Sequence, residues 1–315
     1  MRRDAQAQMS TTSSTREDSE VEDLFSDSLQ SLYGYAPLTC SSAGSIFQYH
    51  LQEDHLRWQS VTRQGLLRLT KGEATSETDA IITLVTPMTE SKNWSLHASS
   101  IWTSSLFLAD HLRDLQIDQH IQAVKESGHA NLRILELGTG AGLPSILIAR
   151  CFDGVEVIAS DYPDAKLIAT LQSNVDTNVV ATKCCVVPYA WGNDTSVFKR
   201  QTADPEETQD EHLMDVIIAA DTLWDPEFHP TLLRTLQMLL RRSTDARVHL
   251  VAAIHTGRYT LQALIDSIDD YGLELEAALE RHTSGDGERE WNADRAEQER
   301  RQWLIWMKIK WKRVP

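Results

Sequence analysis

One stretch restricts the chain more than any other: residues 132–150, LRILELGTGAGLPSILIAR. An apolar run, Leu132 to Leu137, carries a single acid, Glu136. Glycines follow at alternate positions, Gly138, Gly140 and Gly142, and Leu143, Pro144 and Ser145 open a second apolar run. The order predicts a strand, a tight glycine-rich loop and a helix. Glycine adds no side chain and tolerates positive φ, so such a loop lets the backbone pass very close to a bound cofactor.

The pattern continues as alternating strands and helices. Strands are expected at Leu132–Leu137, Val155–Ser160, about 183–188, Met214–Ala220 and Val248–Ile254. Helices are expected at Leu143–Cys151, Asp164–Asn174, Glu227–Arg241 and about 257–270. Leu273–Arg281 and Trp303–Trp311 predict a closing antiparallel pair, with a charged loop or short helix between them. Strands alternating with helices imply a doubly wound α/β sheet. Upstream, Ile101, Ser105, Leu108 and Leu112 share one face of a helix predicted at about 101–114, followed by a polar stretch to about 131.

The N-terminal third differs. Residues 1–22 are polar and charged without periodicity and are expected to be a disordered tail. Residues 23–93 contain short strand-like segments, SIFQYHL, GLLRLT and AIITLVTP, and predict a β-rich extension that packs against the main domain, residues 94–315. The formal net charge of −16 argues against sequence-independent nucleic-acid binding. Four cysteines, Cys40, Cys151, Cys184 and Cys185, form no CxxC pair, so neither a disulfide framework nor a zinc site is expected. No apolar run approaches about 18 residues, and the acidic start disfavours a presequence, so the expected location is cytoplasmic, with the nucleus open.

A glycine turn alone is a weak signal. Dinucleotide folds prefer GxGxxG, whereas here the third glycine comes one residue early and Leu143 stands where it would sit, which counts against a nicotinamide oxidoreductase. Asp161, in VIASDYPDAK, ends a strand 23 residues after Gly138, where an acid can accept both hydroxyls of a ribose. Asp221, in DVIIAADTLWDP, follows the fourth strand at the carboxyl edge where open α/β sheets bind ligands. ELGTGAGLPS resembles motif I of class I S-adenosylmethionine-dependent methyltransferases. Its Gly-Leu-Pro-Ser continuation is similar to the lysine methyltransferase group of seven-β-strand enzymes. Asp-Tyr-Pro-Asp followed by a helix resembles the fungal branch once called nicotinamide N-methyltransferase-like. Members of that branch are associated with methylating the elongation factor that delivers aminoacyl-tRNA, at its N-terminus and an adjacent lysine.

The resemblance implies a Rossmann-like, seven-stranded sheet with S-adenosylmethionine as methyl donor. It implies cofactor contacts from Trp102, Glu136, Gly138, Thr139, Gly140, Gly142, Asp161, Tyr162, Trp191 and Ala220. Trp191 would lie against the adenine. Asp221 would position the target amine or accept from it, and Trp224 would form an apolar wall. The expected acceptor is a protein amine on a basic or N-terminal segment, with no nucleic-acid or membrane partner and a monomeric enzyme. A small pyridine-like amine is the alternative substrate, and a non-catalytic cofactor-binding scaffold the alternative class. No metal site is expected, and the eleven histidines show no HxxxH spacing in a helical context and are read as ordinary surface or core residues.

Overall fold

The computed structural model describes residues 39–55, 80–199, 212–254, 257–285, 287–295 and 302–313, all within one compact unit, Leu38–Pro315. The predicted tail, the segment GLLRLT and most of the acidic stretch 199–212 lie outside the described residues. Two sheets are present among those described. Strands β1 (Ile46–His50) and β2 (Ile81–Val85) form an antiparallel pair. The main sheet contains β3 (Leu132–Leu137), β4 (Val155–Asp161), β5 (Cys184–Pro188), β6 (Val216–Ala220), β7 (Arg247–Ala253), β8 (Leu273–His282), β9 (Glu288–Glu290) and β10 (Trp303–Trp311). Its order is β5-β4-β3-β6-β7-β10-β8-β9.

The first five of these strands run parallel, and β10 inserts antiparallel between β7 and β8. The seven strands expected from the sequence are all there. The eighth, β9, pairs with β8 inside the segment expected to be loop or short helix. The chain runs outward from β3 to β5, then returns to lay β6 on the other side of β3. Strand order therefore reverses between β3 and β6, and their carboxyl ends part to leave the crevice where such sheets bind ligands.

Period-two alternation divides the core between the two sheet faces. Ile134 and Ile218 join one apolar cluster with α1 (Thr103–Asp110), α2 (Ile117–Glu126), α3 (Leu143–Cys151), α4 (Ala165–Thr177) and the β1–β2 pair. Leu135, Leu137 and Ile217 join the other with α5 (His229–Leu239) and α6 (Arg258–Ser267). The predicted helix at 101–114 is shorter than expected, because it tightens into a 3₁₀ turn at Leu112–Leu115. Helix α2 occupies the stretch read as polar. Ile117 and Ile121 are buried one turn apart, with Val124 packed against the same core, so an i, i+4, i+7 signal was present in IDQHIQAVKE.

The β1–β2 pair is fixed to α4 by two asparagines one helical turn apart. Asn174 Oδ1 accepts from Val85 N at 2.8 Å, and its Nδ2 donates to Val85 O at 2.9 Å. Asn178 Oδ1 accepts from Thr83 N at 3.1 Å, and its Nδ2 donates to Thr83 O at 2.8 Å. Two side-chain amides thus continue the ladder where a neighbouring strand would otherwise be needed. Ile82 and Leu84, the alternate residues, are fully buried. Asn174 Nδ2 also donates to Ala141 O at 2.8 Å, which links the extension to the glycine loop.

Candidate active site

The glycine loop leaves β3 at the reversal point. Gly138 and Gly140 have φ of 68° and 57°, in the left-handed region. A Cβ on Gly138 would come within 2.8 Å of Thr222 Cγ2, whereas one on Gly140 would meet nothing within 4 Å. The first glycine permits close packing, and the second opens its backbone onto a cleft. Asp161 ends β4 directly alongside: Oδ2 accepts from Gly140 N at 2.6 Å and Oδ1 from Tyr162 N at 2.7 Å. Burial pushes its carboxyl up to about 6, against the pull of those two amides.

Glu136 lies beneath the loop and is buried. Its Oε2 accepts from Ser145 N at 3.0 Å and Ser145 Oγ at 2.5 Å, pinning the end of β3 to the first turn of α3. Burial pushes it up to about 8, so the group is largely neutral at pH 7. Thr139 Oγ1 donates toward the carbonyls of Glu136 and Ser160, at 3.1 and 3.0 Å. The polar atoms of Glu136 and Thr139 are thus engaged in holding the loop's shape.

All twelve residues singled out in the sequence line one cleft of about 480 Å³: Trp102, Glu136, Gly138, Thr139, Gly140, Gly142, Asp161, Tyr162, Trp191, Ala220, Asp221 and Trp224. Trp191 is half-buried, and its ring edge lies 3.6 Å from where a Gly138 Cβ would stand. Asp221 has φ of 55° and bridges two strand ends: its N–H donates to Val251 O at 2.8 Å, and its Oδ1 accepts from Ala253 N at 3.0 Å. It caps no helix, since the next helical turn begins at Pro226 behind Asp225. Phe228 joins Trp191 and Trp224 by edge-to-face contacts, with ring centroids 6.4 and 5.8 Å apart.

Two residues, one that supports the cleft wall and one that lines it, were not foreseen. Asp164 caps α4 by accepting from Lys166 N and Leu167 N through Oδ1. Its Oδ2 accepts from Glu90 N at 2.9 Å and Asn93 Nδ2 at 2.8 Å, which tethers the 3₁₀ segment Ser91–Leu96 across the cleft mouth. An Asp directly before an apolar-periodic helix is a cap signal, so the first half of this role was readable. His97 is the second, a surface histidine that the sequence reading did not single out. It lines the cleft with its ring 5.0 Å from that of Trp224 and 6.2 Å from that of Trp102, edge-to-face with both. No spacing marks it; its place depends on β6 and the segment before α1 meeting in space.

Residues 87–260 match a family model described as lysine methyltransferase. The chain belongs to the lysine methyltransferase family. The matched span contains all twelve residues singled out in the sequence. Among similar proteins, the protein N-terminal and lysine N-methyltransferase efm7 of Schizosaccharomyces pombe is 30% identical over 59% of this chain and 68% of its own length. The protein of the same description from Kluyveromyces lactis is 30% identical over 47% of this chain and 55% of its own, about half its length. Among solved structures, TrmN from Thermus thermophilus aligns with a TM-score of 0.40 at 14% identity, over 61% of this chain and 48% of that one.

S-adenosylmethionine, the donor that class I methyltransferases use, fits what this family member presents. Gly140 faces open space, Asp161 offers acceptors beside it, and Trp191 supplies a flat apolar wall. Thr222 Oγ1, also on the cleft, is buried with no hydrogen-bond partner among the described residues. A cleft of this volume is in the range of small-molecule cofactor sites. Among the described residues, no His, Cys, Asp and Glu group could hold a metal ion, and no helix is long and apolar enough to cross a membrane.

Proposed function

We propose that this chain transfers a methyl group from S-adenosylmethionine to an amine of a protein, either an N-terminal α-amine or a lysine. The observation that carries the reading is the meeting of Asp161 with Gly140 on one side of the cleft and of Asp221, Trp224 and Trp102 on the other. The first pair suits a ribose, and the second group suits an amine on a flexible chain. The similar proteins of Schizosaccharomyces pombe and Kluyveromyces lactis, named as N-terminal and lysine N-methyltransferases, support the same acceptor class.

The bound cofactor supplies a methyl group on a sulfonium, already electrophilic. The chain's task is to orient the acceptor, exclude water and deal with one proton. Asp161 holds the ribose end and Trp191 the purine face. Trp102 and Trp224 wall the approach, and Asp221, fixed by Ala253 N, orients the amine. The nucleophile must be neutral. At pH 7 a solvated lysine near ~10.4 costs on the order of 4–5 kcal/mol to deprotonate, and an α-amine near ~8 about 1 kcal/mol. A terminal amine is the easier target, and a lysine needs the apolar walls to lower its pKa.

Calorimetry with S-adenosylmethionine and with NAD tests the cofactor; tight binding of NAD alone would defeat the reading. Labelled cofactor in a methyltransferase-deficient fungal lysate tests the acceptor. A labelled protein band supports the proposal, and the aminoacyl-tRNA-delivering elongation factor implied by the resemblance is the first band to look for. Label confined to small molecules would favour a pyridine-like amine. Tight binding without transfer would favour a scaffold.

A further inference from the structure

An ammonium reaching this cleft must lose a proton before its nitrogen can attack, and a cleft walled by indoles has few places to put one. We propose that His97 is the proton acceptor for the target amine and passes the proton to solvent. The inference rests on the protein-amine reading above.

Among the described residues, the titratable groups that line the cleft differ in what they can accept. Lys92 is a cation paired with Glu90 at 2.9 Å. Glu136 already carries its proton at pH 7 and lies under the loop against Ser145. Asp161 accepts two backbone amides at the ribose end. The Tyr189 hydroxyl donates to Asn193 O at 2.9 Å, and a phenol such as Tyr162 is not a base at neutral pH. Asp221 stands at the right end, but its Oδ1 is held by Ala253 N at 3.0 Å, which suits it to orient the amine. Histidine is the side chain most often used for general acid–base transfer near neutral pH.

The placement of His97 suits the task. It lines the cleft on one side and is exposed on the other, so a proton taken inside can leave without crossing the core. Its backbone is held at φ 52°, and its carbonyl accepts from Trp102 Nε1 at 2.9 Å. The ring is edge-to-face with two indoles, at 89° to Trp102 and 90° to Trp224, with centroids 6.2 and 5.0 Å away. In the step itself the ammonium N–H bond breaks and an N–H bond forms on the ring. The electron pair stays on the amine nitrogen, which becomes the nucleophile, and water removes the proton from the ring. Asp221 is then an orienting group and His97 the base.

Two full-length variants test this with labelled S-adenosylmethionine and the protein fraction of the methyltransferase-deficient lysate as acceptor. His97→Asn suits the left-handed backbone, and His97→Phe keeps an aromatic ring beside the indoles. Both should bind the cofactor within about twofold of the parent protein by calorimetry. Both should transfer about 10²-fold more slowly at pH 7, in line with the usual contribution of a general base. The deficit should shrink steadily toward pH 9–10, where the amine deprotonates by itself. Parental rates in either variant at pH 7, or a loss of equal size at every pH, would overturn the role of His97. If the parent protein binds cofactor and labels no protein, the protein-amine reading fails and this inference goes with it.

Discussion

Asp161 and Glu136 sit within one loop of each other and titrate in unusual ranges for the same reason, removal from water. Asp161→Asn removes the charge that would hold two ribose hydroxyls, and hydrogen bonds to charged groups contribute about 1.5–3 kcal/mol. The expected result is a cofactor Kd raised by roughly 10- to 100-fold in calorimetry. In the parent protein, affinity should weaken as pH falls through about 6, where Asp161 takes up its proton. Glu136 acts on stability instead. Its folded pKa of about 8 lies above the unfolded value near ~4.3, so the native chain holds a proton that the unfolded chain has released. Stability of the cofactor-free protein therefore falls as pH rises through that window. Glu136→Gln keeps the acceptor for Ser145 and removes the ionisation. Its urea midpoint should exceed that of the parent protein at pH 8.5 and equal it near pH 4.

At the scale of elements, Asp164 joins the start of α4 to the segment Ser91–Leu96. Asp164→Ala loses a helix cap, about 1 kcal/mol, together with the tether at the cleft mouth. We expect a modest loss in thermal stability and a larger relative rise in KM for the cofactor, measured by initial rates. Asp164→Asn, which can still cap, should recover most of the stability. These elements differed in how readable they were. Leu132–Leu137, Val155–Asp161 and Val216–Ala220 are mostly apolar runs, broken only by Arg133, Glu136, Glu156 and Ser160, that end in or are followed by glycine or acid, because a parallel strand is buried on both faces. The residues at their carboxyl ends, Gly138, Asp161 and Asp221, were legible for that reason. Helix α2 was obscured by polar residues around a narrow stripe of Ile117 and Ile121. The β9 strand was hidden because its three residues, ERE, are all charged and carry no apolar alternation; they pair with β8 through the backbone and through the Arg281–Glu288 and Arg289–Glu280 ion pairs. His97 was invisible because its partners lie on elements that only the tertiary fold brings together.

For the whole molecule, stability depends on groups buried far from the cleft. His249, on β7, is buried and accepts from Trp306 Nε1 at 3.1 Å, which ties β10 to the sheet through a side-chain bond as well as the ladder. Burial, with Lys308 and Arg247 nearby, lowers its pKa to about 3. The unfolded chain gains this proton near pH ~6.5 and the native chain only near 3, so stability is lost as pH falls through that window. His249→Gln should flatten the acid limb of the urea midpoint between pH 6.5 and 3 and leave the alkaline limb, governed by Glu136, in place. At the sheet's far edge, Glu280 receives Arg258 at 2.5 Å, Arg289 at 2.8 Å and Arg295 at 2.9 Å. Arg258 and Glu280 are both buried, so Glu280→Gln leaves a charge uncompensated and should cost about 3–5 kcal/mol in global unfolding.

The paired amides of Asn174 and Asn178 have a consequence for how the N-terminal strands can change over time. They recognise the main chain of Thr83 and Val85 and are indifferent to the side chains there. Any segment that runs extended and presents two apolar residues where Ile82 and Leu84 stand can take this berth. This berth therefore selects for an extended backbone and two apolar residues, while side chains elsewhere in the extension make its specific contacts, through Tyr49 Oη donating to Asp110 at 2.7 Å and the ion pair of Asp54 with Arg113.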